Sequence, residues 1–316
     1  MGRLFGTDGA RGVAITELTC ETAMNIGKAA AIVLTKQKKK EGKAKILIGK
    51  DTRVSSDILE AALMAGIMSV GADVELLGVV PTPAVAYLVK YYDADAGVMI
   101  SASHNSVEYN GIKLFSDSGF KLPDEIENEI EALILDTPEK IALCEGCAVG
   151  RVKRAENAAD DYVKHLLSTS DLSIKKLKVL VDCANGSASA TAKDLFTRLN
   201  IDFDLMYNEP DGCNINENCG STHPERLCEL VRELGADIGL AFEDLAAGRT
   251  DAVIWDDPVA KFYANKREDF AGKFSVAYLH KDPEYYGFCL RKGETELLER
   301  LNKAIASMQA DGTEAK

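Results

Sequence analysis

The sequence predicts an α/β protein: two successive three-layer α/β domains followed by a short α/β tail. Three observations carry that expectation. Short apolar runs, among them KILIG (45–49), AGVMI (96–100), KVLVD (178–182) and IGLAF (238–242), have the length and composition of strands buried on both faces. Stretches of helical period separate them. The strand–helix alternation then starts a second time near residue 155, the pattern of two α/β units in series.

Taken in order, a helix is expected over 18–35, then the strand 45–49. The next helix, 56–70, sets Ile58, Leu59, Ala62, Leu63 and Ile67 on one face. A strand at 74–77 leads to the break PTP at 81–83, a short helix and the strand 96–100. After 121–134 the chain becomes looser. The domain boundary is expected within 140–155, giving a first domain of 1–150 and a second of 151–242. The second set runs as a helix from near 155 to 167, strand 178–182, helix 188–199, strand 203–206, helix 224–234 and strand 238–242. Residues 243–316 form the tail, with strands at 251–254 and 286–291 and helices at 258–264 and 294–310. The tail either docks as a further α/β layer or pairs strand 251–254 with the second domain's sheet, its last helix covering an edge.

Composition narrows the classes of function. The chain has 316 residues, 46% hydrophobic and 28% charged, which is the range of globular proteins. A net charge of −13 argues against nucleic acid or an anionic membrane as partner, and the lysine-rich run 36–40 reads as a solvated helix end. No apolar stretch approaches the ~20 residues of a membrane span. The start, MGRLFGTDGARG, lacks the apolar core of a signal peptide, so a cytoplasmic location is expected. The eight cysteines then read as free thiols, and the single C-x-x-C at Cys144 and Cys147 as an incidental loop pair.

Chemistry-bearing residues gather in loops that follow strands, where open α/β sheets bind ligands. FGTDGARG (5–12) holds three glycines, an acid and an arginine, which suits backbone N–H groups and a guanidinium to a phosphate. GKDTRVSS (49–56) and SASHN (101–105) follow strands directly. Each alone reads as a turn. Their joint occurrence reads as a phosphate site.

FGTDGARG, GKDTR, PTPAVAYL, GVMISASHN…NGIKLF, DCANGSAS and NCGSTHPERL…GADIGLAF, in this order, resemble the α-D-phosphohexomutases over residues 1–242. That resemblance implies isomerisation of phosphosugars through a phosphoserine whose phosphate a Mg²⁺ ion holds. It places the phosphoserine at Ser103. It implies that His104 positions the phosphate or the substrate, that Lys113 is a general acid or base, and that Arg11 is a phosphate or proton-network partner. The other residues it assigns to phosphate or substrate are Thr7, Asp8, Gly9, Lys50, Arg53 and Asn105. The plainer readings are a loop histidine at His104 and a solvated strand lysine at Lys113. Ser106 stands where the family has proline.

A larger departure begins after Phe242. The family's acidic loop, D-G-D-A-D-R, binds Mg²⁺ through three aspartates. Here Glu243 takes the first place, Leu245 and Ala247 the other two, and Asp244 stands where glycine is expected. Glu243 and Asp244 make a weak site for an ion that wants several oxygens. Beyond this point the family's third and fourth domains are not recognisable. The tail instead resembles the end of bacterial amino-acid-binding proteins, in which the position of Asp256 holds the ligand's amino group. Its plainer reading is that Asp256 and Asp257 cap the helix at 258. The chain thus reads as a fusion. Three functions stay open: a phosphohexomutase of reduced turnover, a non-catalytic phosphosugar binder, and a chimera without a ligand.

Overall fold

The computed structural model describes residues 3–6, 9–36, 42–169, 178–223, 225–236, 238–239, 252–256, 274–279 and 286–291. It is a mixed α/β protein of two compact units. One unit comprises Met1–Ser173, Cys183–Leu199 and Tyr207–Asn218, the other Ile174–Asp182, Asn200–Met206 and Cys219–Lys316.

The first unit contains β1 (Ala10–Val13), α1 (Cys20–Thr35), β2 (Lys45–Lys50), α2 (Val54–Ser69), β3 (Asp73–Val79), α3 (Thr82–Tyr91) and β4 (Ala96–Ile100). These are followed by β5 (Tyr109–Ser116), α4 (Asp124–Leu135), β6 (Val152–Arg154), α5 (Ala158–Ser168) and α6 (Ala192–Arg198). Its six strands lie in the order β1-β5-β4-β2-β3-β6. β2 runs parallel to β3 and β4, β3 parallel to β6, and β5 antiparallel to both β4 and β1.

Period-two alternation splits the core into two layers. Ile46, Ile48, Val98, Ile100, Ile112 and Leu114 face Ile26, Ala30, Leu59, Leu63 and Ile130 of α1, α2 and α4. Leu47, Met99 and Phe115 face Val85, Leu88 and Val89 of α3 and Tyr162 of α5. The result is the expected three-layer α/β/α arrangement. α1 and α2 approach closely through glycine: a Cβ on Gly66 would stand 2.1 Å from the Met24 carbonyl, and one on Gly27 2.6 Å from that of Leu63.

Local chemistry explains where elements begin. The α1 helix starts at Cys20, not 18, because the Thr19 hydroxyl caps it by accepting from the Thr22 N–H at 3.0 Å. The proline "break" at 81–83 is the first turn of α3, where the missing N–H of Pro83 removes no helical bond. The expected helix 188–199 is divided into a 3₁₀ turn at Ser187–Ala190 and α6. The sequence delimits no strand at β1 or β6, and within β5 it places only Lys113 on a strand. β1 is glycine-bearing and short, and β6 is wholly exposed, so neither carries an apolar run. Because β6 adds to β3 and α5 packs on the α3 side, the boundary drawn at 150 falls inside this first unit.

In the second unit β7 (Lys178–Asp182) is the centre of a parallel sheet with β8 (Asp202–Met206) and β9 (Ile238–Gly239). Leu227 and Val231 of α7 (Glu225–Leu234) pack on Leu180. The tail holds β10 (Ala252–Asp256), β11 (Phe274–Leu279) and β12 (Tyr286–Arg291), an antiparallel sheet in the order β10-β12-β11. Among the described residues β10 pairs with β12, not with the β7 sheet, which corrects the expected pairing of 251–254. The expected tail helices, and 240–242 of the strand at 238–242, lie outside the described residues. No helix among the described residues is long and apolar enough to cross a membrane.

One carboxylate ties down the N-terminal segment. Glu131 of α4, 3% exposed, accepts the N–H groups of Arg3 (2.8 Å), Leu4 (2.7 Å) and Phe5 (2.7 Å). Burial works against its ionisation, but the three N–H groups outweigh it and hold its pKa below the usual carboxylate value. A lowered folded pKa stabilises fully above the unfolded value, and that gain is lost as the pH falls through the folded one. Glu131→Gln should therefore destabilise the protein by about 2 kcal/mol near neutral pH. The gap to wild type should close below about pH 4. Urea titrations across that range provide the measurement.

Candidate functional site

The connection from β4 to β5, residues 101–108, carries the serine cluster. Ser101 continues the strand pairing with its N–H on the Gly111 carbonyl at 2.9 Å. The Asn105 N–H then turns back to the Ala102 carbonyl at 3.2 Å. Ser103 sits at the apex, exposed, with φ +57°, in the left-handed region that non-glycine residues seldom adopt. Its N–H donates to the Ser101 hydroxyl at 3.0 Å.

Beneath this loop lies a buried ion pair. Arg53 and Asp51 are 1% and 2% exposed, and the Arg53 Nε donates to Asp51 Oδ2 at 2.9 Å. The other guanidinium nitrogens face loop carbonyls: Nη2 reaches Asn105 at 2.8 Å and Ser103 at 3.1 Å, and Nη1 reaches Ser106. Asp51 Oδ1 accepts from the Arg53 backbone N–H and the Ser56 hydroxyl. Asn110 donates to Ser55 and Ser56 through Nδ2 and accepts the Gly111 N–H on Oδ1. Every buried charge here has an opposite partner and further hydrogen bonds, which offsets the desolvation of both ions. Arg53, expected at phosphate, is therefore placed inside the protein, gripping the serine loop by its carbonyls.

Lys50 also turns away from the loop. Its Nζ donates to Asp57 at 2.8 Å and Glu60 at 2.6 Å on α2. Partial burial lowers its pKa, but the two carboxylates outweigh it and hold the ammonium above the ordinary lysine value. His104 is exposed beside Ser103, and Asn105 is half-buried. The hydroxyl of Ser106, in the family's proline position, bonds the Glu108 side chain and holds that carboxyl below the usual range.

Arg11 and Lys113 share one face of the sheet edge. Arg11 is paired with Gly111, and Lys113 lies two residues further along β5, opposite Met99. A side chain on Gly111 would meet the Ser101 carbonyl at 2.7 Å and the Arg11 Cγ at 3.0 Å. Gly9 (φ +91°) leaves room beside the Lys113 stem, since a Cβ there would stand 2.4 Å from the Ile112 carbonyl. The structure thus brings together Ser103, His104 and Asn105 on one loop, with Lys113 on β5, the strand it enters, and Arg11 on the neighbouring β1. Thr7, Asp8, Glu243, Asp244 and Asp257 lie outside the described residues. Asp256 closes β10 opposite Tyr286.

Three polar residues escaped the sequence reading: Asp51, Asn110 and Asn216. Asp51 and Asn110 stand inside quoted motifs, but only burial shows that they form one network. Asn216 lies 113 residues from Ser103 and donates from Nδ2 to the Ser103 and Asn105 carbonyls, both at 2.9 Å. No local pattern marks it. The six cysteines with described side chains are free thiols, Cys144 and Cys147 among them.

Residues 2–140 match the family model of the phosphoglucomutase/phosphomannomutase α/β/α domain I. The phosphoglucosamine mutase of Clostridium novyi (strain NT) is 54% identical over 245 residues, covering 77% of this chain and 54% of that protein. The phosphoglucosamine mutase of Acetivibrio thermocellus is 55% identical over 243 residues, with the same coverage of 77% and 54%. Among solved structures, a phosphoglucomutase/phosphomannomutase family protein from Burkholderia thailandensis has a TM-score of 0.62 at 27% identity, over 76% of this chain and 52% of that one. The chain spans about half the length of the curated relatives it matches. Over 77% of its length the chain is similar in sequence to these phosphoglucosamine mutases.

Removing the cation from the buried pair should be severe. Arg53→Met keeps the bulk but leaves Asp51 without its cation and removes one donor from each of three carbonyls, and should cost about 3–5 kcal/mol in urea unfolding. The double change Asp51→Asn with Arg53→Met should recover part of that loss, because no uncompensated ion stays buried.

Proposed function

We propose that this chain carries the phosphoserine half of a phosphoglucosamine mutase, with a phosphoryl group passing between Ser103 and a hexosamine phosphate. The observation that carries this reading is the 54% identity to such a mutase over 245 residues. The exposed, apical position of Ser103 supports it, since a dianionic phosphate fits there without burial.

In the proposed step a sugar hydroxyl oxygen attacks the phosphorus carried by Ser103. A P–O bond to the sugar forms as the bond to Ser103 Oγ breaks. Lys113 takes the hydroxyl proton and gives a proton to the departing Ser103 Oγ, so that serine leaves as its hydroxyl. The reverse transfer runs the same moves backwards, with Arg11 on the same sheet face as the electrostatic partner of Lys113. His104 and Asn105 hold phosphate oxygens beside Ser103, and the resemblance adds Thr7, Asp8 and Gly9 as further phosphate-binding residues. Lys50 and Arg53 act through position: one braces α2, the other the loop.

Among the described residues no group of three His, Cys, Asp or Glu side chains could hold a metal ion. The described residues alone do not assemble a Mg²⁺ site, and the step above is derived without one. A Mg²⁺ ion on the Ser103 phosphate is the family's expectation, with Glu243 and Asp244 as the further donors in this sequence. Leu245 and Ala247 offer no oxygen side chain, so turnover of glucosamine 6-phosphate should be weak. We assign 1–242 to the mutase-like part of the chain, with the serine loop in the first compact unit, and 243–316 to a tail whose amino-acid-binding resemblance, through Asp256, rests on sequence alone.

Incubation with a hexose 1,6-bisphosphate and Mg²⁺ should leave a phosphoryl group on the peptide containing Ser103, read by mass spectrometry. Ser103→Ala should abolish it together with any conversion of glucosamine 6-phosphate in a coupled assay. An unmodified wild-type Ser103 would sink the reading.

A further inference from the structure

Ser103 holds a left-handed backbone conformation that strains a non-glycine residue, and such a conformation persists only when its surroundings over-determine it. The carbonyls on either side of His104 show what does so. The Ser103 carbonyl accepts from Arg53 Nη2 at 3.1 Å and from Asn216 Nδ2 at 2.9 Å. The Asn105 carbonyl accepts from the same two groups, at 2.8 Å and 2.9 Å. Each oxygen has two lone pairs, so both are fully used.

The two donors differ in kind. Arg53 is locked in the core by Asp51. Asn216 arrives from a segment far along the chain and is half-buried. Its own backbone is left-handed, at φ +58°, a region asparagine tolerates. Its N–H is fixed on the Ala184 carbonyl at 2.9 Å. The segment around it is moored beside Arg53: the Val54 N–H donates to the Gly212 carbonyl at 2.9 Å, and the Thr52 hydroxyl to that of Asn185 at 2.6 Å. An amide NH₂ has two hydrogens for two carbonyls; a carboxylate of the same shape has none.

We propose that Asn216 is a positioning residue for Ser103, closing from outside the carbonyl clamp that Arg53 closes from inside, and so setting the direction in which Ser103 Oγ meets phosphorus. This rests on the phosphoserine reading above. It adds that the residue numbers 207–218 take part in phosphoryl acceptance without touching the phosphate.

The full chain is compared as wild type, Asn216→Asp and Asn216→Gly. The first removes both donated hydrogens and keeps the shape. The second removes the amide and suits the φ of +58°, so the inference survives the failure of either variant to fold. Two readouts are taken. Hydrogen exchange of the amides in 103–109 should accelerate in both variants while the β2 and β4 amides stay protected. Labelling of Ser103 by a hexose 1,6-bisphosphate should slow by about tenfold to a hundredfold at saturation. The half-saturating bisphosphate concentration should stay unchanged, and the protected β2 and β4 amides separate this from a general loss of folding, which would lower the rate by lowering the folded fraction. Wild-type exchange in both variants overturns the clamp. Accelerated exchange with wild-type labelling overturns the positioning role. A wild-type protein that takes no label overturns the phosphoserine reading instead, and the exchange data then decide the clamp alone.

Discussion

The Asp51–Arg53 ion pair is the constraint on which the site depends. Neither ion could be buried alone, because desolvation of an unpaired charge exceeds what a single domain has in reserve. Paired, and with Ser56 and a backbone N–H on the carboxylate, the two become a rigid polar core at the C-terminal end of β2. What Arg53 has left over, the two Nη groups, is directed at loop carbonyls. The guanidinium fork is planar and always charged, so it holds several acceptors in a fixed geometry that an ammonium could not. The serine loop is therefore shaped from below by a group that never meets solvent.

The sheet supplies the second constraint. β5 runs antiparallel between β4 and β1, so the loop after β4 and the residues of β1 and β5 meet at one sheet end. Arg11 and Lys113 share a face there because paired antiparallel residues point the same way. Gly111 keeps that corner open, since any side chain would collide with the Ser101 carbonyl. The N-terminal segment that leads into β1 is in turn held by the Glu131 carboxylate. Two buried carboxylates, Asp51 and Glu131, thus hold the support beneath the serine loop and the segment Arg3–Phe5.

These supports all lie inside the first compact unit, which reaches past the boundary at 150 to include residues 183–199 and 207–218. The boundary at 150 followed a looser run of sequence between elements. The structure follows packing, and there β6, α5 and two later segments return to the first sheet's unit.

By itself the sequence determined the α/β layering, because apolar period decides which residues are buried and a one-residue slip would expose a whole strand face. It determined β2 and β4 nearly to their ends and marked Ser103, His104, Lys113 and Arg11 through motifs that are contiguous in the chain. Only the tertiary structure decided what Arg53 does: a lysine or arginine in a loop after a strand looks the same in sequence whether it faces a phosphate or a buried aspartate. Only the tertiary structure found Asn216, and only it separated β10 from the β7 sheet. The reason is common to all three. Hydrogen bonding and strand pairing are satisfied by whichever partner folding brings within about 3 Å, and no local pattern records which partner that is.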